Sequence, residues 1–427
     1  MVHHLTFLGE NQISRQQKNR DAMQILPVRD RKTRFLFLEV PRIIYRSDPW
    51  WVCQLDSETE SRFDPEENNF LKDGEADRWI LLDDKGKPIG RIAAFYNRIK
   101  AYENDQPTGG IGMFECINST EASRLLFDTA REWLRSKGME AMDGPINFGE
   151  NDSNWGLLIE GFTHPGMGMP YHLPYYRNLF EEYGFKEYFR QFSYHLDIRK
   201  PFPERFWKIA DWISRRQNFR FKHFTYKEQE KFIADMVKIY NEAWAVFKED
   251  FTPLDPQTIR NTIRKARPIL DEKLVWFAYH EDEPIGFFIM FPDINQILKH
   301  FNGKMHLWNM LRFLYYKKTK KITRVRAMVA GVVPRFQNTG VESAIFRQLE
   351  KVFFSKPYLH YKEIELSWVG DFNPKMRSLY EAVGAKLAKI HVTYRYLFDP
   401  ARPFKRFMPE AVEKASKFDI RQHHVED

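Results

Sequence analysis

The stretch GVVPRFQNTGVESAIFRQLE, Gly331 to Glu350, passes from a β-rich apolar run through a glycine-bearing turn into a helix. A helix start of that kind offers unpaired backbone N–H groups and the positive end of the helix dipole, and the two together hold an anion such as a phosphate. Gly340 lets the backbone approach an anion closely, and Arg335 can add charge-assisted bonds. The same residues also permit a ligand-free turn. Thr339 and Glu342 have the spacing of a capping box, in which Glu342 bonds the cap's own N–H and puts a negative charge where the anion would lie. An earlier turn, INSTEASR at Ile117 to Arg124, has no glycine, and its Asn118 and Glu121 repeat the capping spacing. It reads as a site filled by its own side chains.

The chain that carries these turns has 427 residues, enough for two domains with separate cores. Its 37 Phe, 19 Tyr and 11 Trp and its 43% hydrophobic content give the apolar surface that offsets ordering entropy, so the chain is expected to fold. The only cysteines, Cys53 and Cys116, lie far apart without metal-ligand spacing, which argues against a disulfide framework and a zinc site and fits a reducing cytoplasm. The paired histidines His3/His4 and His423/His424 likewise lack ligand spacing. The first residues have no apolar signal core, and no later run approaches the roughly 18 apolar residues of a membrane span. The expected location is cytoplasmic. A net charge of +8 suits an anionic partner: nucleic acid, a lipid surface or a phosphate-bearing cofactor.

A repeat organises the chain. DDKGKPIGRIAAFYN (Asp83 to Asn97) and HEDEPIGFFIMFPD (His280 to Asp293) read as two copies of one β-hairpin. LFEEYGFKEYFRQFSYHLDI (Leu179 to Ile198) and LYEAVGAKLAKIHVTYRYLF (Leu379 to Phe398) each read as a helix capped by glycine, Gly184 or Gly384, and followed by a strand. Between these anchors each copy supplies strand, helix, strand. The first has GGIGMFECI, EASRLLFDTAREWLRSKG and MEAMDGPIN; the second has RVRAMVAGVVP, VESAIFRQLEKVFF and KEIELSWVG. That length implies a parallel crossover, hence an α/β fold with mixed sheets, each copy preceded by a helix such as TRFLFLEVPRIIY or EQEKFIADMVKIYNEAW.

This order of elements, with the glycine turn after the fourth strand and NPKMRSLYEAVGA after the fifth, resembles the GCN5-related N-acetyltransferase (GNAT) superfamily, as a tandem pair over about residues 23 to 400. DPWWVCQL, GRIAAFYN and GPINFGENDSNWGLLIEGF in the first half resemble a bacterial subgroup that includes the bacterial ceramide synthases. The implied layout is a tail at 1–22, a GNAT-like domain at 23–199 with a degenerate cofactor site, a second at 200–402 with the acyl-CoA site, and a tail at 403–427.

In this superfamily the fourth and fifth strands splay, and the arm of an acyl-thioester lies between them with its diphosphate on the next helix. The pattern there is Arg or Gln, two residues, Gly, one residue, then Gly or Ala. Gln337, Asn338, Thr339, Gly340 and Val341 follow it; Glu342 departs from it, and that puts the anion site in question. The resemblance implies acyl-CoA, acetyl or longer, or an acyl-carrier thioester as co-substrate, no metal, and an amine acceptor. It implies Tyr380 as proton source, where the first copy has Phe180, backbone donors near Val332 and Val333 for an oxyanion, and Asn373 against the cofactor arm. As general base the candidates are Glu365 and Asp371, although each reads more readily as a solvated or salt-bridged carboxylate; Glu115 would serve only in an active first copy. Glu150, Asn151 and Asp152 could bind an amino-alcohol acceptor or simply form a polar loop.

The second copy inserts residues 295–326, where Leu307, Trp308, Met310, Leu311, Phe313 and Leu314 sit among Lys304, Arg312, Lys317, Lys318, Lys320 and Lys321. Such a segment fits the interface of an anionic membrane, at the inner face for a cytoplasmic protein, or packs on its own fold with a solvated lysine rim. No recognised nucleic-acid motif accompanies it. The expectation is a tandem GNAT N-acyltransferase acting on an amine, either a long-chain sphingoid base giving a ceramide-type lipid or a small soluble amine, with a non-catalytic GNAT scaffold as the reading from another class.

Overall fold

The computed structural model describes residues 23–103, 105–148, 155–245, 253–337 and 339–408. The first copy runs β1 (Gln24–Pro27), α1 (Arg31–Ile44), β2 (Gly74–Leu82), β3 (Pro88–Asn97), β4 (Thr108–Cys116), α2 (Thr120–Ser136), β5 (Ala141–Gly144), β6 (Leu157–Glu160), α3 (Tyr176–Tyr183) and β7 (Lys186–Asp197). The second runs α4 (Glu204–Ser214), β8 (Phe219–His223), α5 (Gln229–Ala245), α6 (Pro256–Ala266), β9 (Val275–His280), β10 (Glu283–Pro292), α7 (Leu307–Lys318), β11 (Arg324–Val332), α8 (Val341–Phe353), β12 (Glu363–Gly370), α9 (Pro374–Ala382) and β13 (Lys386–Leu397). The expected α/β architecture is present in both copies: hairpins β2–β3 and β9–β10, then a helix crossover joining the parallel pairs β4–β5 and β11–β12.

Local chemistry explains the boundaries. Asp30 caps α1, its Oδ1 accepting the Thr33 N–H at 2.7 Å while Thr33 Oγ1 accepts the Asp30 N–H at 3.1 Å. Helices α3 and α9 run out at Gly184 and Gly384, whose φ values of 110° and 89° lie in the left-handed region that glycine enters without steric cost.

The chain forms two compact units, one from residues up to Gln191 with Leu298–Asn309 and Lys389–Arg406, the other from Phe192–Ile297 and Met310–Ala388. The first unit's sheet is ordered β1-β2-β3-β4-β5-β13, with β6 also pairing β13; the second's is β7-β12-β11-β10-β9-β8. The copies have therefore exchanged their last strands. Tyr394 of β13 pairs with Gly144 of β5, and the Ile198 N–H just past β7 bonds the Lys362 carbonyl just before β12. The sequence reading ran each copy straight through its final strand. An exchange is invisible at that level because β7 and β13 carry similar alternations of aromatic and polar residues, so either can complete either sheet.

Each unit has its own core. In the first, Ile80, Ile92, Phe114, Phe127 and Leu134 are buried between sheet and helices; in the second, Ile285, Phe287, Val325, Ile345 and Ile364 are.

Candidate functional site

In the second unit β11 and β12 pair from Arg324↔Glu363 to Ala327↔Leu366, then run on to Val332 and Gly370 without a continued ladder, leaving a gap beside the last residues of β11. On its other edge β11 meets β10 with Val332 opposite Gly286, and the Val333 N–H donates to the Ile285 carbonyl at 2.9 Å. Successive N–H groups on a strand point to opposite edges, so the Val332 N–H faces the gap. Of the two backbone donors expected here, Val333 is spent on β10 and only Val332 remains.

The turn that follows is held by its own contacts. Gln337 Nε2 donates to the Val332 carbonyl at 3.0 Å, and Thr339 Oγ1 to the Phe336 carbonyl at 2.6 Å. Gly340 is the N-cap of α8 at φ 96° and has no side chain with which to cap it. The capping box of Thr339 and Glu342 is therefore not formed, because the Thr339 hydroxyl points backward into its turn. Glu342 accepts its own N–H, and burial raises its carboxyl above the ordinary range. The N–H groups of Val341 and Ser343 remain for an anion. Arg335 is half-exposed and paired with Glu283 at 2.6 Å and Glu242 at 3.7 Å, so its charge is already engaged. Asn338 lies outside the described residues, as do Glu150, Asn151 and Asp152.

The side chains expected beyond the turn are placed differently from one another. Tyr380 is buried on α9 with its ring 5.5 Å from Tyr194 of β7, and burial first, then that neighbour, raises its pKa. Asn373 caps α9, its Oδ1 accepting the Met376 N–H at 3.2 Å. Glu365 is buried opposite Arg326, in the paired half of β12 away from the turn, 3.5 Å from Arg324, which also holds Asp293 at 2.6 Å. That setting is an ion cluster at the closed end of the gap. Asp371 stands just past β12, at the open end, and is half-buried.

The first unit has the same frame and a different filling. Gly90 pairs with Cys116 and the Ile117 N–H bonds the Ile89 carbonyl, so Cys116 is the counterpart of Val332. Here the Cys116 N–H is taken by the Tyr176 hydroxyl at 3.2 Å, and the Tyr175 hydroxyl donates to the Cys116 carbonyl at 2.7 Å. The chain itself closes the gap further down: the Ile146 N–H bonds the Ile111 carbonyl, and a Cβ at Gly112 would stand 1.9 Å from the Ile146 oxygen. The helix start is capped by Ser119, whose Oγ accepts the Ala122 N–H at 3.2 Å, and not by Asn118 as the spacing suggested.

Beside these tyrosines lies a cavity of about 80 Å³ lined by Cys53, Arg91, Glu115, Trp155, Tyr171 and His172 among others. Glu115 accepts from Tyr45 at 2.8 Å and Tyr176 at 2.7 Å and stands 3.7 Å from Arg91. Burial raises its carboxyl, against the opposing pull of Arg91 and the tyrosines. Arg91 has a second duty. Pro41 interrupts α1 and removes the N–H that would have bonded the Phe37 carbonyl one turn back, and Arg91 Nη1 supplies that bond at 3.0 Å. His172 accepts the Leu158 N–H on Nδ1 at 3.1 Å, and burial pulls its pKa down to about 3, so the ring is neutral with its proton on Nε2.

A search of the solved structures finds a tandem GNAT protein from the clavulanic acid biosynthesis pathway, TM-score 0.53 at 11% identity, over 89% of this chain and 100% of that one. A GCN5-related N-acetyltransferase from Sphaerobacter thermophilus matches at TM-score 0.51 and 11% identity, over 91% and 99%. The fold is a tandem GNAT fold. Among curated proteins the chain is 26% identical over 382 residues to the bacterial ceramide synthase of Caulobacter vibrioides, covering 87% of this chain and 97% of that protein. It is 23% identical over 368 residues to protein YghO of Escherichia coli K12, covering 84% and 91%. No family model matches. Among the described residues no group of metal-ligating side chains is assembled, and no helix is long and apolar enough to cross a membrane.

The sequence reading missed the role of Tyr45, Tyr175 and Tyr176. One signal was available: HPGMGMPYHLPYY places adjacent tyrosines at the start of α3, and the second copy has Lys375 and Met376 in the corresponding places before its glycine. Pro41, one helical turn past Phe37, likewise announces a carbonyl that something else must satisfy.

Proposed function

We propose that this chain is an acyl-thioester-dependent N-acyltransferase whose co-substrate site is the gap and turn of the second unit. The observation that carries the proposal is the contrast at one register position: among the described residues the Cys116 N–H is consumed by Tyr176 while no side chain takes the Val332 N–H, and α8 begins on Gly340, which has no capping side chain. Gln337, Thr339, Gly340 and Val341 form the diphosphate turn, with Arg335 at its edge if it leaves Glu283. The bound thioester supplies an activated acyl carbonyl. The Val332 N–H stabilises charge developing on that carbonyl oxygen. Tyr380, which burial keeps protonated, is the donor of a hydrogen bond to the departing thiolate, and the same burial makes full transfer of its proton costly. Asp371, at the open end, is the better-placed base; Glu365 is committed to Arg324. Asn373 supports the site by capping α9.

For the acceptor, the 26% identity to a bacterial ceramide synthase supports a long-chain sphingoid base, giving a ceramide-type amide, over a small soluble amine. A lipid acceptor of that kind would be met at a membrane surface. A scaffold without catalysis is favoured by one feature, the Glu342 carboxyl in the first turn of α8, bonded to its own N–H. Incubation with acetyl-CoA and a long-chain acyl-CoA, each against sphinganine and a small amine, followed by mass spectrometry of the products, separates the three. A long-chain amide of sphinganine supports the lipid reading, an acetylated small amine supports the alternative, and no amide together with no coenzyme A binding leaves the scaffold.

A further inference from the structure

Helix α7 (Leu307–Lys318) wears its apolar side chains outward. Leu307 is 68% exposed and Trp308 73%, and Met310, Leu311, Leu314 and Tyr315 are each at least half exposed. Its buried residues are Asn309 and Phe313, which lie one turn apart on a single side, with Asn309 Nδ2 tying the helix to the Lys304 carbonyl at 2.7 Å. At 3.6 residues per turn the six exposed apolar side chains fall on one arc of roughly 160°, centred opposite Asn309 and Phe313. A helix that only completes a soluble core turns such an arc inward.

The charges complete the pattern. Arg312 and Lys317 flank the arc on its two sides, and Lys318, Lys320 and Lys321 follow its C-terminal end. Lys317 bonds the Pro268 carbonyl and Lys320 the Pro357 carbonyl, while Lys318 and Lys321 are exposed without such ties. Between Asp293 and Glu342 the sequence has no acidic residue at all. Two copies of this face docked on each other would bring like charges together, whereas an anionic surface neutralises them.

We propose that α7 is an interfacial anchor that lies flat on an anionic lipid bilayer, its apolar arc at the acyl boundary and its basic side chains reaching the headgroups. The anchor is independent of the co-substrate site, so either assignment can fail alone. The test is flotation of the full chain with phosphatidylcholine vesicles, with and without phosphatidylglycerol, at low and high salt. Binding that requires phosphatidylglycerol and weakens with salt is expected. K318A/K321A should lower partitioning about fivefold for each lysine removed, and L311E/L314E should abolish it, while circular dichroism and coenzyme A affinity stay unchanged in both variants. Equal flotation of the wild type and both variants overturns the proposal. So does absence of flotation, and so does concentration-dependent dimerisation lost in L311E/L314E without vesicle binding, which would make the occupant a second copy.

Discussion

At Cys116 in the first unit and Val332 in the second, matching strands turn one N–H toward the gap beside them, set by the same pairing with Gly90 or Gly286. A tyrosine hydroxyl has taken the place in the first unit and also feeds the buried carboxylate of Glu115. In the second unit the corresponding helix position is Met376, which has no hydroxyl to offer, and the helix after the turn starts on a glycine, which has no capping side chain. Two units of one fold thus keep the same backbone frame and differ in whether a side chain satisfies the donor that faces the gap. The first unit is then held together by the polar atoms that the second holds open.

The largest expected effect tests that structural role. Arg91→Met removes the cation 3.7 Å from Glu115 and the donor to the Phe37 carbonyl, both buried, and should destabilise the protein by about 3–5 kcal/mol in denaturant unfolding, with coenzyme A affinity retained in the folded fraction. Because burial holds the Glu115 carboxyl above its unfolded value, the native state binds its proton more tightly, so that group's contribution to stability falls as pH rises through the raised range. Next comes Gly340→Val, which forces a β-branched residue to a φ of 96° and puts its side chain at the anion turn. Calorimetry should find coenzyme A binding weakened about 100-fold, a loss of roughly 2.7 kcal/mol. Retained affinity would break the contrast between the units.

Much of this was legible in the sequence. The paired hairpins at Pro88 and Pro284 and the glycine ends at Gly184 and Gly384 are local signals, and they fixed the element order of both copies. Two things were not legible. The exchange of β7 and β13 depends on which sheet edge a strand meets, and both strands carry the same alternation. The state of the anion turn depends on where Thr339 points, and the sequence allowed a capping box that the backbone at Gly340 does not form. Glu365 is the salt-bridged carboxylate that the sequence favoured, but which cation holds it follows only from the register opposite Arg326, which puts it beside Arg324.

A smaller effect is expected from trying to reopen the first unit. Tyr176→Phe deprives the Cys116 N–H and Glu115 of one partner each and should cost about 2 kcal/mol of stability by thermal or denaturant unfolding. It should create no second coenzyme A site, because Ile146 still lies across Gly112. A stoichiometry rising from one to two in calorimetry would show that the tyrosine alone separates the units.

The finest discrimination lies at Glu342, where the second unit departs from the pattern of the superfamily that its sequence resembles. Its carboxyl is desolvated, has among the described residues only its own N–H as partner, and stands on the first turn of the helix that would meet a diphosphate. Ionised, it repels that anion; protonated, it does not. Since burial raises its pKa, coenzyme A affinity should fall as pH rises through the raised carboxyl range, and Glu342→Gln should flatten that dependence while tightening binding about fivefold near neutral pH. If Gln instead leaves both affinity and pH dependence unaltered, the carboxyl does not face the anion, and the unpaired donors of Val341 and Ser343 open onto something other than a phosphate.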